Sequence, residues 1–291
     1  MAKRKTSPRT KRQCDFENAM DIIDTGLELN GLMRPILGPP NYPNFKYGYG
    51  CDEAAIEKFY QFQPKNVLHI LENLADIYQD YKKQRLLLND YHNAIEQDVL
   101  LSRSIMQAAA KELGNVEPSD GKPVLQNESE MNLFYNYLVL YRSVKGRRYI
   151  CDWVKKHPEA LNKNNEAVVS AFVNAKFAVL RLDKNLTDGC IQVVDVVSEK
   201  SYLLVDKAVN ASQREGCFFV CSLLDMENYA MTSGGGICID GTSNCGKAVL
   251  TMVAKHREEL RSGNPDNGVK EIYGYCLCNG ALARSTANYN Y

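Results

Sequence analysis

The sequence predicts an α+β protein, with a helical N-terminal region followed by a small antiparallel β-barrel-like module and a closing C-terminal helix. Three observations carry this. Apolar residues recur at helical spacing through residues 52–113. At about Lys176 the texture changes to short runs rich in Val, Ile and Leu, separated by turn residues. Helical spacing then returns after Asp240. With 291 residues, 45% of them hydrophobic, the chain is long enough to bury a core without disulfides or metal. The reading divides it into a disordered basic arm (1–12), a helical region (13–175) and a β-module with its C-terminal helix (176–291).

In chain order, Phe16, Ala19, Met20, Ile23 and Leu27 fall on one helical face, and Asn30-Gly31 stops it. Pro35, Pro39, Pro40 and Pro43 then thread an aromatic segment with Tyr42, Phe45, Tyr47 and Tyr49, which reads as a loop. From Pro64 the series Val67, Leu68, Leu71, Leu74, Ile77, Tyr78, Tyr81 is helical. Leu88, Tyr91, Ile95, Val99, Ile105, Met106 and Leu113 continue it, with a phase slip at Leu86-Leu87-Leu88 that predicts a break or bend there. Such a stripe needs a partner, either the neighbouring helices or another subunit, and a homo-oligomer through the 64–113 helices is one of the two expectations. Asn115–Asn127, with Pro118, Gly121 and Pro123, is a loop; Met131, Phe134, Leu138 and Tyr141 mark a helix broken by Gly146-Arg147-Arg148. A short helix surrounds Trp153, and Asn165 is placed to cap another over Ala167–Phe172.

Six strands are predicted: Lys176–Leu182, Cys190–Val197, Tyr202–Asp206, Cys217–Leu224, Tyr229–Thr232 and Gly236–Asp240. Their connections are too short for crossover helices, so the strands are antiparallel. Gly234-Gly235-Gly236 reads as one of the turns. The run from Gln192 to Gly235 resembles a strand-rich module of uncharacterised bacterial proteins; the resemblance implies the barrel and no chemistry. Val249, Met252, Val253, His256 and Leu260 form the closing helix, and Glu271–Cys278 reads as a last strand.

Net charge is formally zero, from 35 basic and 35 acidic residues, but it is unevenly placed. Lys3, Arg4, Lys5, Arg9, Lys11 and Arg12 occupy the first twelve residues with no acid among them, leaving 29 basic against 35 acidic residues in the remainder. Such an arm releases counterions from a polyanion and gives weak, salt-sensitive nucleic-acid binding. Arg147 and Arg148, with Arg142 and Lys145, form a second basic cluster. The arm has no apolar stretch behind it, so it is not read as a secretory signal, and a cytoplasmic location is expected. No apolar run approaches the ~20 residues of a membrane span.

Ten cysteines contain no C-x-x-C pair; Cys217-x3-Cys221 and Cys276-x-Cys278 share a face only within strands, and buried core thiols are the preferred reading over zinc. The sharpest motif is Gly241-Thr242-Ser243-Asn244-Cys245-Gly246-Lys247, a G-x-x-x-x-G-K run between a strand and a helix. Gly241, Gly246 and Lys247 are the candidate phosphate-binding residues. Ala248 stands where a magnesium-ligating hydroxyl belongs, and the antiparallel setting differs from that of P-loop enzymes. Cys245 at a helix start would need a base, and His256 lies about three turns further along. His69 and His92 read as ordinary helix histidines. Asp21/Asp24 and Asp52/Glu53 read as helix-end charges.

The expected function is that of a non-enzymatic interaction protein inside the cell. Its helices contact protein partners, and its arm contacts an acidic partner such as nucleic acid. A nucleotide- or phosphate-binding protein or enzyme using Gly241–Lys247 is the alternative. No cofactor or metal is expected.

Overall fold

The computed structural model describes residues 51–64, 66, 74–100, 102–116, 123–125, 128–160, 166–187, 189–212, 217–262 and 265–278. The basic arm, the 16–29 helix, the aromatic loop before residue 50, His69 and the Asn165 cap lie outside these residues.

Helix α1 (Glu53–Gln61) begins at Asp52, whose carboxylate accepts the Ala55 amide at 3.0 Å, and it buries Ile56 and Phe59. Helix α2 (Leu74–Leu100) is continuous for 27 residues, about 40 Å at 1.5 Å per residue. The expected break at Leu86–Leu88 does not occur. Ile77, Tyr81, Leu88 and Ile95 are buried, whereas Leu86 is left 61% exposed. Leaving that one leucine in water lets the apolar stripe keep its phase within one continuous helix. The stripe's partner is the chain's own core. The break comes later, at Ser102, and α3 (Arg103–Glu112) follows.

Helix α4 (Glu128–Asn136) runs into a π-helical turn at Tyr137–Tyr141, every residue of which is buried. The predicted stop at Gly146 is a two-residue hairpin between β1 (Ser143–Val144) and β2 (Arg147–Arg148). Lys145 (φ 55°) and Gly146 (φ 76°) are both left-handed, as a tight hairpin turn requires. Helices α5 (Tyr149–Lys156) and α6 (Glu166–Val173) lead to the sheet.

The strands β3 (Lys176–Thr187), β4 (Cys190–Asp195), β5 (Lys200–Val205), β6 (Phe218–Asp225) and β7 (Ala230–Ile239) close into a barrel in the order β3-β4-β5-β7-β6. Four contacts are antiparallel, as expected, but the closing β5–β7 contact is parallel, through Leu204 opposite Ala230. The last two predicted strands are one. Gly234-Gly235-Gly236 lies within β7, where the register against β6 shifts, and forms a bulge instead of a turn. Asp195 holds the β4–β5 corner: its carboxylate accepts the amides of Val179, Val197 and Ser198.

Both faces of the barrel wall are buried, which is why β6 reads as an apolar run without alternation. Ala178, Leu180, Leu182, Ile191, Val193, Leu204, Phe219, Cys221 and Leu223 form one cluster inside the barrel, joined by Val209 of the short helix α7 (Lys207–Ser212). Phe177, Val179, Phe218, Val220, Leu224, Ile237 and Ile239 face outward into a second cluster shared with the helices. Helix α8 (Asn244–Lys255) and the short α9 (Arg257–Arg261) follow β7. The predicted final strand is a helix, α10 (Asp266–Cys278), with Val269, Ile272, Tyr273, Cys276 and Leu277 buried at helical spacing. Among the described residues, no helix is long and apolar enough to cross a membrane.

Candidate functional site

The Gly241–Lys247 run occupies the strand-to-helix position expected of it, with Gly241–Ser243 between β7 and α8 and Asn244–Lys247 as the first turn of α8. Its polar groups serve the loop itself. The Asp240 carboxylate accepts the Thr242 hydroxyl (2.7 Å) and amide (2.9 Å), which hold it below the usual carboxylate range. Ser243 caps α8: its Oγ accepts the Gly246 amide at 3.0 Å and donates to the Asp240 carbonyl at 2.8 Å. The Ser243 amide donates to the same carbonyl. Gly246 is required by packing, since a Cβ there would collide with the Asp240 carbonyl. A Cβ at Gly241 would collide with the Tyr60 hydroxyl. Lys247 Nζ sits 2.8 Å from Glu53 Oε1, and this contact raises the lysine pKa and lowers that of the glutamate. As arranged, the lysine faces a carboxylate and Asp240 adds a second negative charge to the loop.

The second basic cluster is dispersed. Arg142 forms a bidentate pair with Glu112 (2.8 Å for both contacts). Arg148 Nη1 donates to the Leu140 carbonyl at 3.3 Å, and Arg147 lies 3.5 Å from Asp152. Lys145 is at the hairpin tip. The arm residues Lys3, Arg4, Lys5, Arg9, Lys11 and Arg12 lie outside the described residues.

The cysteine pairs separate. Cys221 is buried inside the barrel, where desolvation pushes its thiol well up. Cys276 and Cys278 lie on a helix and not on the strand that the shared-face reading needed. No group of three or more His, Cys, Asp or Glu side chains gathers as metal ligands among the described residues. His256 follows the last residue of α8 and contacts Glu259 (3.2 Å) and Glu271, twelve positions from the start of that helix.

A polar cluster that the sequence reading did not identify lies where α2 and α4 cross the β7 bulge. Thr232 Oγ1 donates to Asp206 Oδ2 at 2.6 Å, while Asp206 Oδ1 accepts the Ala208 and Val209 amides and so starts α7. Arg85 Nη2 lies 3.4 Å from both Asp206 Oδ2 and Thr232 Oγ1, and the guanidinium sits 5.4 Å from the centre of the Tyr81 ring. Ser233 Oγ donates to Asn136 Oδ1 at 3.1 Å. His92, seven residues after Arg85 and so on the same helical face, lies between Phe172 (ring centroids 4.9 Å) and Tyr135 (5.4 Å). Burial, and secondarily the charge of Arg85, pull its pKa down to about 4, so it is neutral at pH 7.

Gly234 is exposed with φ +114°, a conformation that only glycine adopts without strain. A Cβ on it would lie 3.8 Å from both Arg85 Nη1 and His92 Cε1; one on Gly235 would lie 3.3 Å from Asn136 Nδ2. His92 Nε2 and Asn136 Nδ2 are buried without hydrogen-bond partners among the described residues. The signals that could have found this cluster are the i,i+7 spacing of Arg85 and His92, the i,i+4 spacing of Asn132 and Asn136, and the polar Thr232-Ser233 before three glycines.

A protein-family model matches residues 74–265, a span that contains this cluster and the Gly241–Lys247 loop; its description is a family of unknown function (DUF7986). No curated protein and no solved structure matches the chain.

Proposed function

We propose, for a chain that belongs to the DUF7986 family of unknown function, a binding rather than a catalytic role: the helical layer contacts protein partners, and the basic arm contacts an acidic partner such as nucleic acid. The observation that supports the arm as the contact is how the fold treats its other cations. Arg142 meets Glu112, Arg181 meets Asp183 at 2.9 Å, Arg257 and Arg261 both meet Glu199 at 2.9 and 2.8 Å, and Lys176 meets Asp225 at 3.1 Å. Six arm cations within twelve residues have no acid among them. These pairings support assigning polyanion affinity to the arm.

The test is fluorescence anisotropy with a labelled single-stranded oligonucleotide across a salt series. The full chain is expected to bind with a log–log salt slope of up to about −4, from six cations at ~0.7 each. Deleting residues 2–12 should remove that binding; unchanged affinity would eliminate the arm as its cause.

A second reading keeps phosphate binding at Gly241, Gly246 and Lys247, favoured by the loop's place at the start of the twelve-residue α8. Calorimetry with ATP should then show binding that Lys247→Ala abolishes. Equal heats for the two proteins would remove the lysine from consideration.

A further inference from the structure

We propose that His256 is a proton-dependent clasp: its imidazolium ties the junction of α8 and α9 to α10, and loss of that proton loosens the start of α10. The clasp is separate from the basic arm and from the Gly241–Lys247 run, which lies at the opposite end of α8.

His256 closes α8 and opens α9: its amide donates to the Met252 carbonyl at 3.0 Å, and its carbonyl accepts the Leu260 amide at 2.9 Å. Both ring nitrogens meet carboxylates. Nδ1 lies 3.2 Å from Glu259 Oε2 on α9, and Nε2 contacts Glu271 Oε2 on α10. A neutral imidazole has one N–H and one bare nitrogen, so it satisfies one of these acceptors and turns a lone pair on the other. Only the imidazolium donates to both. Imidazole is more basic than a carboxylate, so the proton this arrangement calls for sits on the ring. The His256 side chain is only 16% exposed, which raises the cost of leaving either contact unmade.

The two carboxylates are anchored independently of the ring. Glu259 Oε1 accepts the Asn267 and Gly268 amides at 2.9 and 3.1 Å, in the first turn of α10. Lys255 Nζ lies 3.0 and 3.1 Å from the two carboxylate oxygens of Glu271. Gly268 lets α10 come this close, because a Cβ there would lie 3.0 Å from the His256 Cβ. Among the described residues, the charges facing the ring are thus Lys255 from α8, Glu259 from α9 and Glu271 from α10. Glu258 turns instead to Arg261, and Arg257 to Glu199. With the proton bound, two cations balance two carboxylates; without it, one carboxylate is left uncompensated.

The Glu271 contact is the closer of the two, so the neutral ring keeps its N–H there. Nδ1 then presents a lone pair to Glu259, the residue that also holds the first amides of α10. The clasp is therefore closed on the acid side of the histidine titration and opens as pH rises through it.

The experiment is NMR of the full chain across about pH 5 to 9, which spans the range where histidines titrate. Ring nitrogen shifts report the protonation of His256. Hydrogen exchange, expressed as protection so that its intrinsic pH dependence is removed, reports the Asn267 and Gly268 amides. Their protection is expected to fall about tenfold as the ring loses its proton, as loss of a charge-assisted hydrogen bond would give. In Glu259→Gln the carboxamide oxygen still accepts both amides while its NH₂ donates to a bare Nδ1, so protection should no longer depend on pH. Wild-type protection that stays constant while the ring titrates, or a Glu259→Gln profile that follows the wild type, would overturn the proposal. So would a ring that keeps one protonation state throughout. Should the variant fail to fold, the coupling between ring and amides in the wild type decides alone.

Discussion

His92 shows how one side chain ties stability to pH. Folded, it is held neutral down to about pH 4, mainly by burial; unfolded, it titrates near its ordinary 6.5. Between those values the unfolded chain binds a proton that the folded chain does not, so stability falls as pH falls through the window and levels below it. The loss is on the order of 3 kcal/mol. His92→Phe keeps a ring between Tyr135 and Phe172, and denaturation midpoints at pH 7 and pH 5 should then lie closer together than in the wild type. An identical pH dependence would assign the titration to another group. Little of this was legible in the sequence: a histidine on a long helix looks the same whether it faces water or Phe172. Arg85, Asn136, Asp206 and Gly234 are separated by up to about 150 residues, and only folding brings them together. Gly246 was legible as a glycine that matters, but its reason is the Asp240 carbonyl against it, which the motif alone attributes to phosphate.

Among the elements, termini and strands were the most readable. Ser243 precedes α8 and its hydroxyl takes one of the unpaired first-turn amides. Ser243→Ala is therefore expected to cost about 1 kcal/mol, measured by chemical denaturation, with Ser243→Asp close to wild type. The β-branched runs gave β4, β5 and β6 nearly to their ends, and β3 from its first residue as far as Leu182, five residues short of Thr187. Two elements were misread for opposite reasons. The run Glu271–Cys278 is rich in residues that suit strands, yet its apolar positions at 269, 272, 273, 276 and 277 meet the core at helical spacing, and burial overrides propensity. In β7 the three glycines look like a turn because a bulge uses the same backbone freedom. The π-helical turn at Tyr137–Tyr141 had no sequence signature; it follows Asn136 directly and all five of its residues are buried.

For the whole molecule, the composition shift at Lys176 coincides with the first residue of β3. The barrel was legible in the closely spaced strands, but the parallel direction of its closing contact was not; that contact rests on Leu204 opposite Ala230, against six aligned pairs between β3 and β6. Hydrogen exchange should reflect that difference: amides at the β5–β7 junction should exchange before those of Val179 and Val220. Equal protection would mean that the barrel opens only as a unit. The two-sided burial of the barrel wall has a practical consequence for anyone dividing the chain. A fragment starting at residue 176 would present Phe177, Val179, Phe218, Val220 and Leu224 to water along one continuous face, because their cover comes partly from helices encoded upstream. The family match, running through 74–265, spans that point. Truncations at the composition boundary would yield aggregating halves, and the smallest piece worth expressing keeps the helices and the barrel together.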